Sequence, residues 1–189
     1  MKIIQLLKHF FEEHKAVIRE YAEAIIIAFI LAMIIRTFVV QAFKIPTGSM
    51  RPTLIEGDRI LVNKFIYRFK EPKRGDVIVF RYPEDRKKDF IKRVVAVPEE
   101  TLEIKDGNIW INGELAQEPE QVRKIYYYNQ GPYGRERETI KVPKDNFFVL
   151  GDNSGSSRDS RYWGFVTRKE ILGQAMVIYW PLTRLRKVE

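Results

Sequence analysis

The sequence predicts a mainly β fold, an antiparallel β domain preceded by one N-terminal transmembrane helix. Three observations carry that prediction. Residues 24–35 form the only long uncharged apolar run, and the stretch 21–40 extends it to 20 residues, with Glu23 and Arg36 placed to snorkel to bilayer headgroups. Beyond it, short runs rich in β-branched and aromatic residues alternate with turn sequences such as Glu56-Gly57-Asp58 and Arg74-Gly75-Asp76. Of the 189 residues, enough remain for one domain of about 145 with a real core, and no repeat or low-complexity linker divides it.

In chain order, residues 1–20 form an arm in which Ile3, Leu7, Phe10, Val17 and Tyr21 recur at helical spacing, an amphipathic stretch that lies on a membrane or runs into the span. Residues 21–40 read as a signal anchor. A cleavable signal peptide is the rival, because Val40-Gln41-Ala42 loosely resembles a cleavage site, but Arg36 interrupts the run before it. Lys2, Lys8, Lys15 and Arg19 precede the span while Arg36, Lys44, Arg51 and Arg59 follow it, so charge bias leaves orientation open.

Residues 41–189 form the third region. Strands are expected over 38–45, 59–67, 76–82, 90–97, 101–105, 108–111, 146–150 and 171–180. Asp106-Gly107 between two of these runs is a strong hairpin signal. Residues 113–145 are more polar, contain Tyr126-Tyr127-Tyr128 and Gly131-Pro132, and read as a smaller excursion.

Composition narrows the chemistry. With no cysteine, thiol catalysis, disulfides and Cys-ligated metals are excluded. The only histidines, His9 and His14, precede the span, which argues against a Ser-His-Asp triad or a His-based zinc site beyond it. No metal or cofactor is expected. The net charge of +8 invites a nucleic-acid reading, but the cations are interleaved with 25 acidic residues and no nucleic-acid motif accompanies them. Attraction to anionic lipid or plain solubility explains the charge as well.

Three segments remain. In Ile45-Pro46-Thr47-Gly48-Ser49-Met50-Arg51-Pro52, two prolines and a glycine hold Ser49 in a stiff frame, suited to a nucleophile or to an ordinary polar turn. A working serine there needs a base other than histidine, and lysine is the known substitute. In Phe90-Ile91-Lys92-Arg93-Val94, strand alternation puts Phe90, Lys92 and Val94 on one face and Ile91 and Arg93 on the other. Lys92 is either a solvated residue of an edge strand or a buried amine with a depressed pKa. The cluster from Gly151-Asp152-Asn153 to Asp159-Ser160-Arg161 can bond backbone groups and itself; alone it reads as a structural loop.

Together, in order, five segments resemble bacterial type I signal peptidases: Ser49-Met50-x-Pro52-Thr53-Leu54, Gly57-Asp58-Arg59-Ile60-Leu61-Val62-Asn63-Lys64, Arg74-Gly75-Asp76-Val77-Ile78-Val79-Phe80, Ile91-Lys92-Arg93-Val94 and 151–164. The resemblance implies a β catalytic domain of the type shared with self-cleaving SOS repressors. Those repressors are soluble and carry a DNA-binding domain where this chain has its apolar segment. A non-enzymatic membrane-anchored binding domain is the alternative from another class. The implied activity is a membrane-anchored serine endopeptidase that removes signal peptides from exported preproteins, with its N-terminus cytoplasmic and residues 41–189 extracytoplasmic. Its implied partners are signal peptides, membrane phospholipid and the export machinery, with no nucleic acid. By resemblance, Ser49 is the nucleophile and Lys92 the general base, the Ser49 amide and Thr47 hydroxyl form the oxyanion hole, and Ser157 hydrogen-bonds Lys92. Asp152 pairs with Arg93, and Asp159 with Arg161. Phe43, Ile45, Met50, Ile60, Val79 and Ile91 line shallow apolar pockets for small side chains at substrate positions −1 and −3. The chain departs from the family where Ser154-Gly155-Ser156 replaces Arg-Asp-Asn, which removes any bracing those residues supply. Ala96-Val97-Pro98-Glu99-Glu100 also replaces Gly-Leu-Pro-Gly-Asp, a changed turn.

Overall fold

A computed structural model describes residues 2–34, 36 and 39–189, with the side chains of 2–13 and 16 excepted. The predicted apolar positions Ile3, Leu7 and Phe10, and residues 35, 37 and 38 of the predicted span and first strand, therefore lie outside what is described. The chain divides into two units, Met1–Val39 and Val40–Glu189.

The first unit is helix α1, Lys2–Ile34. No glycine or proline occurs before Pro46, so nothing breaks the helix between the arm and the apolar run. Arg19 Nε donates to Glu23 Oε1 at 2.8 Å, one turn apart. Large apolar side chains from Val17 to Ile34, including Ile25, Phe29 and Leu31, are exposed. Among the described residues no helix is long and apolar enough to cross a membrane. Arg19, Glu20 and Glu23 interrupt the apolar character on one side, and the described helix stops at Ile34 on the other.

The second unit is built from β1 (Val40–Lys44), β2 (Arg59–Asn63), β3 (Val77–Tyr82), β4 (Asp85–Ala96), β5 (Thr101–Lys105), β6 (Asn108–Ile111), β7 (Glu114–Leu115), β8 (Ile140–Lys141), β9 (Asn146–Leu150), β10 (Val166–Thr167), β11 (Ile171–Trp180) and β12 (Arg186–Lys187). Two short helices, α2 (Glu120–Arg123) and α3 (Ser160–Trp163), complete it. The larger sheet has the order β1-β2-β11-β3-β4-β9-β10, with β12 paired to β11, and the smaller β7-β6-β5-β8. Every pairing is antiparallel.

Hydrophobic alternation sets which residues meet. Val77 and Val79 of β3 face a cluster with Ile45, Met50, Leu54 and Ile60, while Ile78 and Phe80 face another with Val94, Phe147 and Val149. A third core, with Leu102, Ile104, Ile109 and Ile111, gathers the smaller sheet against Val95, Ala96 and Phe148. Tyr127, from the 113–145 excursion, is buried in that core, and the excursion adds β7 and β8 to the smaller sheet.

Two predicted boundaries differ by several residues and the alternation of one strand breaks, each for a local reason. β2 stops at Asn63 instead of residue 67, because Asn63 Oδ1 accepts from the amides of Phe65 and Ile66 at 2.9 and 3.0 Å and turns the chain into a 3-10 turn, Ile66–Arg68. β4 begins at Asp85, since its charged outer half pairs with β3 while staying largely exposed. A bulge between Val94 and Ala96 breaks the alternation, so Val95 and Ala96 enter the same core. Asp106 and Gly107 both take positive φ, 51° and 74°, as a two-residue hairpin requires.

Candidate active site

Ser49 sits in the loop between β1 and β2. The loop is pinned at its base, where the Ile45 amide donates to the Asp58 carbonyl at 2.8 Å and the Gly57 amide to the Ile45 carbonyl at 2.9 Å. The buried Asp58 carboxylate accepts from the Ile55 amide at 2.9 Å and from Arg184 at 2.9 and 3.1 Å. Gly48–Met50 form a 3-10 turn closed by the Arg51 amide on the Gly48 carbonyl at 3.1 Å. Met50 and Leu54, both fully buried, anchor this turn to the core.

Lys92 comes from the middle of β4 and is only 3% exposed. Its Nζ is hydrogen-bonded to Ser49 Oγ at 2.7 Å and donates to the Ile91 carbonyl at 2.9 Å. The Phe90 ring centroid lies 5.5 Å away. Among the described residues no carboxylate forms an ion pair with Nζ. Burial pushes the lysine down to about 8; Asp159 and Asp152 pull it back up, and Arg161 adds to the lowering.

Those two carboxylates are each engaged by an arginine. Arg93 Nε and Nη2 donate to Asp152 at 2.8 and 2.6 Å, with both side chains 1% exposed. Arg93 also donates to the Gly75 carbonyl at 2.8 Å, and Thr53 Oγ1 donates to Asp152. Arg161 Nε and Nη2 donate to Asp159 at 2.8 Å each, both groups fully buried. Asp159 in turn accepts from the Gly151 amide at 3.0 Å. The network holds the 151–161 loop beside the Ser49 turn, and bidentate arginines satisfy most of its charge.

Ser49 and Lys92 open onto a cleft of about 260 Å³, lined further by Pro46, Thr47, Asp89, Phe90, Ile91, Ser156 and Arg158. Thr47 lies there in an extended conformation, φ −134° and ψ 156°. The six residues expected to line substrate pockets gather in one apolar cluster. Only Ile91 of the six reaches the cleft, whereas Met50 and Ile60 are fully buried and Ile45 and Val79 nearly so. In this conformation the cleft is walled by Pro46, Thr47, Phe90 and Ile91. Among the described residues, no group of three or more His, Asp or Glu side chains is placed to hold a metal ion.

Residues 18–180 match the family described as signal peptidase, peptidase S26. The chain belongs to that family. A probable signal peptidase I-2 of Synechocystis sp. is 40% identical over 172 residues, 88% of this chain and 75% of the relative. A signal peptidase I of Leptolyngbya laminosa is 44% identical over 163 residues, 82% and 76% of the two chains. A signal peptidase I P of Bacillus subtilis subsp. natto is 35% identical over 175 residues, 91% and 94%.

Two expectations drawn from the signal peptidase pattern change against the geometry. Ser157 does not bond Lys92: its Oγ is buried without any hydrogen-bond partner. The reason is backbone direction. Ser157 is extended (φ −123°, ψ 125°), so its neighbours Ser156 and Arg158 face the cleft while its own side chain packs on Gly151, where an added Cβ would lie 2.1 Å from Oγ. The Ser154-Gly155-Ser156 departure also leaves the loop braced. Ser154 Oγ accepts from the Tyr128 amide and from Arg161 Nη1, both at 3.0 Å, and its carbonyl accepts from Arg161 Nη2 at 2.7 Å. Arg158 and Ser156 were not expected in the cleft. Their signal was positional, since they flank a serine assumed to point inward, and in extended backbone neighbours point the opposite way.

Proposed function

We propose that the protein is a membrane-bound serine endopeptidase that cleaves signal peptides from exported preproteins, with Ser49 as nucleophile and Lys92 as general base. The observation that carries this reading is the 2.7 Å contact between Lys92 Nζ and Ser49 Oγ, made by a buried amine whose pKa is lowered to about 8. A lysine at its ordinary value of about 10.4 is only about 0.04% neutral at pH 7; at about 8, roughly a tenth is neutral.

Neutral Lys92 takes the Ser49 proton as Oγ attacks the carbonyl of substrate residue −1. The Ser49 amide and the Thr47 hydroxyl stabilise the oxyanion, each supplying about 3 kcal/mol in the transition state. Lys92 then gives its proton to the departing amine, and later takes one from the water that hydrolyses the acyl-enzyme. The Ile91 carbonyl, accepting from Nζ, keeps the amine aimed at Ser49. The Arg93–Asp152 and Arg161–Asp159 pairs keep both carboxylates from neutralising the base's advantage. The names of the relatives support the substrate class.

In this reading residues 1–20 are the cytoplasmic arm, 21–40 the anchor, and 41–189 the extracytoplasmic peptidase domain of a single-pass protein of the bacterial cytoplasmic membrane. The exposed apolar side chains of α1 from Val17 onward support contact with lipid acyl chains, and the export machinery supplies the preproteins. Detergent-solubilised protein is expected to cleave a preprotein at its signal junction, and Ser49→Ala to abolish this. A substrate with Phe in place of Ala at −1 is expected to resist cleavage, because the small cleft overpacks. Full activity of Ser49→Ala sinks the proposal.

A further inference from the structure

The oxyanion site depends on the direction of one N–H bond, and the structure contains a device that sets it. The Ser49 amide shares a planar trans peptide unit with the Gly48 carbonyl, so its N–H and that C=O point in opposite directions. Asn153 Nδ2 donates to the Gly48 carbonyl at 3.0 Å, across 105 residues of sequence. The Asn153 backbone amide donates to the next carbonyl, that of Ser49, at 3.0 Å. One residue thus holds both carbonyls that flank the nucleophile.

Asn153 is itself fixed. Its carbonyl accepts from the Ser156 amide at 2.9 Å, and the preceding Asp152 is locked to Arg93. The approach of the two segments requires Gly151, because a Cβ there would lie 2.5 Å from the Ser49 carbonyl oxygen. A buried network therefore ends in two donors placed on the Ser49 turn.

We infer that Asn153 is a positioning residue for the oxyanion site: by holding the Gly48 carbonyl, its side-chain amide fixes the peptide plane that aims the Ser49 N–H at the developing oxyanion. This inference rests on the reading of Ser49 as nucleophile. Asn153 touches no reacting atom. Its effect falls on the charged tetrahedral species and leaves ground-state substrate binding and proton transfer to Lys92 alone.

The test uses the full chain in detergent with Asn153→Ser, which keeps the backbone bond and removes the side-chain amide from the Gly48 carbonyl without adding charge. A peptide aldehyde ending in Ala serves as the second probe, since its adduct with Ser49 places an oxygen in the oxyanion site. The expected result is a ten- to hundredfold fall in kcat, about that of a weakened oxyanion donor, with KM changed less than about twofold. Aldehyde affinity is expected to fall with kcat, while the midpoint of the pH profile stays put. If Asn153→Ser does not fold, Asn153→Ala, equally uncharged, carries the same readouts. Wild-type kcat, unchanged aldehyde affinity or a shifted pH midpoint, with Ser49→Ala inactive, overturns the role of Asn153. An active Ser49→Ala overturns the nucleophile assignment instead.

Discussion

Lys92 and Arg93 are consecutive cations on one strand, buried to nearly the same degree, and they have opposite surroundings. Arg93 faces Asp152 in a bidentate pair and reaches the Gly75 carbonyl besides. Lys92, one residue earlier and therefore on the other face of β4, meets a hydroxyl, its own strand's carbonyl and the Phe90 ring. Both had to leave water. Only one was given a countercharge. A paired guanidinium stays charged and structural, whereas an amine without a carboxylate is driven toward its neutral form. Burial alone does not decide what a cation does; the partner does.

The largest effect that tests this contrast is expected from Lys92→Arg. A guanidinium stays protonated at any usable pH, so kcat/KM on a preprotein should fall by at least about a thousandfold, and Lys92→Ala should match it. Near-normal activity of Lys92→Arg would mean that a fixed charge suffices, erasing the difference between the two positions. Next comes Arg93→Met. It strands the Asp152 carboxylate in the core and should cost about 3–5 kcal/mol in denaturant unfolding, most of it recovered when Asp152→Leu is added.

A smaller effect concerns stability against pH. Lys92 titrates near 8 in the folded chain and near 10.5 when unfolded, so between those values the unfolded state holds the extra proton and stability rises with pH. Below about 8 the buried charge destabilises the fold. The stability advantage of Lys92→Met over the parent should therefore shrink by about 3 kcal/mol between pH 7 and pH 11. No change in that difference would place Lys92 in water. The smallest effect is on rate: kcat/KM should climb about tenfold from pH 7 to a plateau above the pKa of about 8.

How much of this was legible follows the kind of interaction involved. Strands β5, β6, β9 and β11 fall at the boundaries expected from their residues, because Asp-Gly and β-branched runs act locally. The end of β2 was missed because a single Asn63 side chain captured two amides, a capture that competes with the ladder and leaves no mark on the hydrophobic pattern. The bulge in β4 was missed for a similar reason. At the site, elimination of His and Cys singled out Ser49 and Lys92 as a pair to examine. The direction of Ser157, the bracing of Ser154 and the double hold of Asn153 depend on backbone dihedrals and on contacts about a hundred residues apart. No local pattern encodes those.

The order of strands in the larger sheet has a consequence for when Ser49 and Lys92 can meet. Ser49 belongs to the hairpin β1–β2 and Lys92 to the hairpin β3–β4, and in the sheet β11, residues 171–180, lies between the two hairpins. Each hairpin is local in sequence, whereas the strand that fixes their spacing follows both. A ribosome that has produced both Ser49 and Lys92 has not yet produced the strand that spaces them. The 2.7 Å contact between Lys92 Nζ and Ser49 Oγ is therefore set by a strand that begins 79 residues after the lysine (171 − 92).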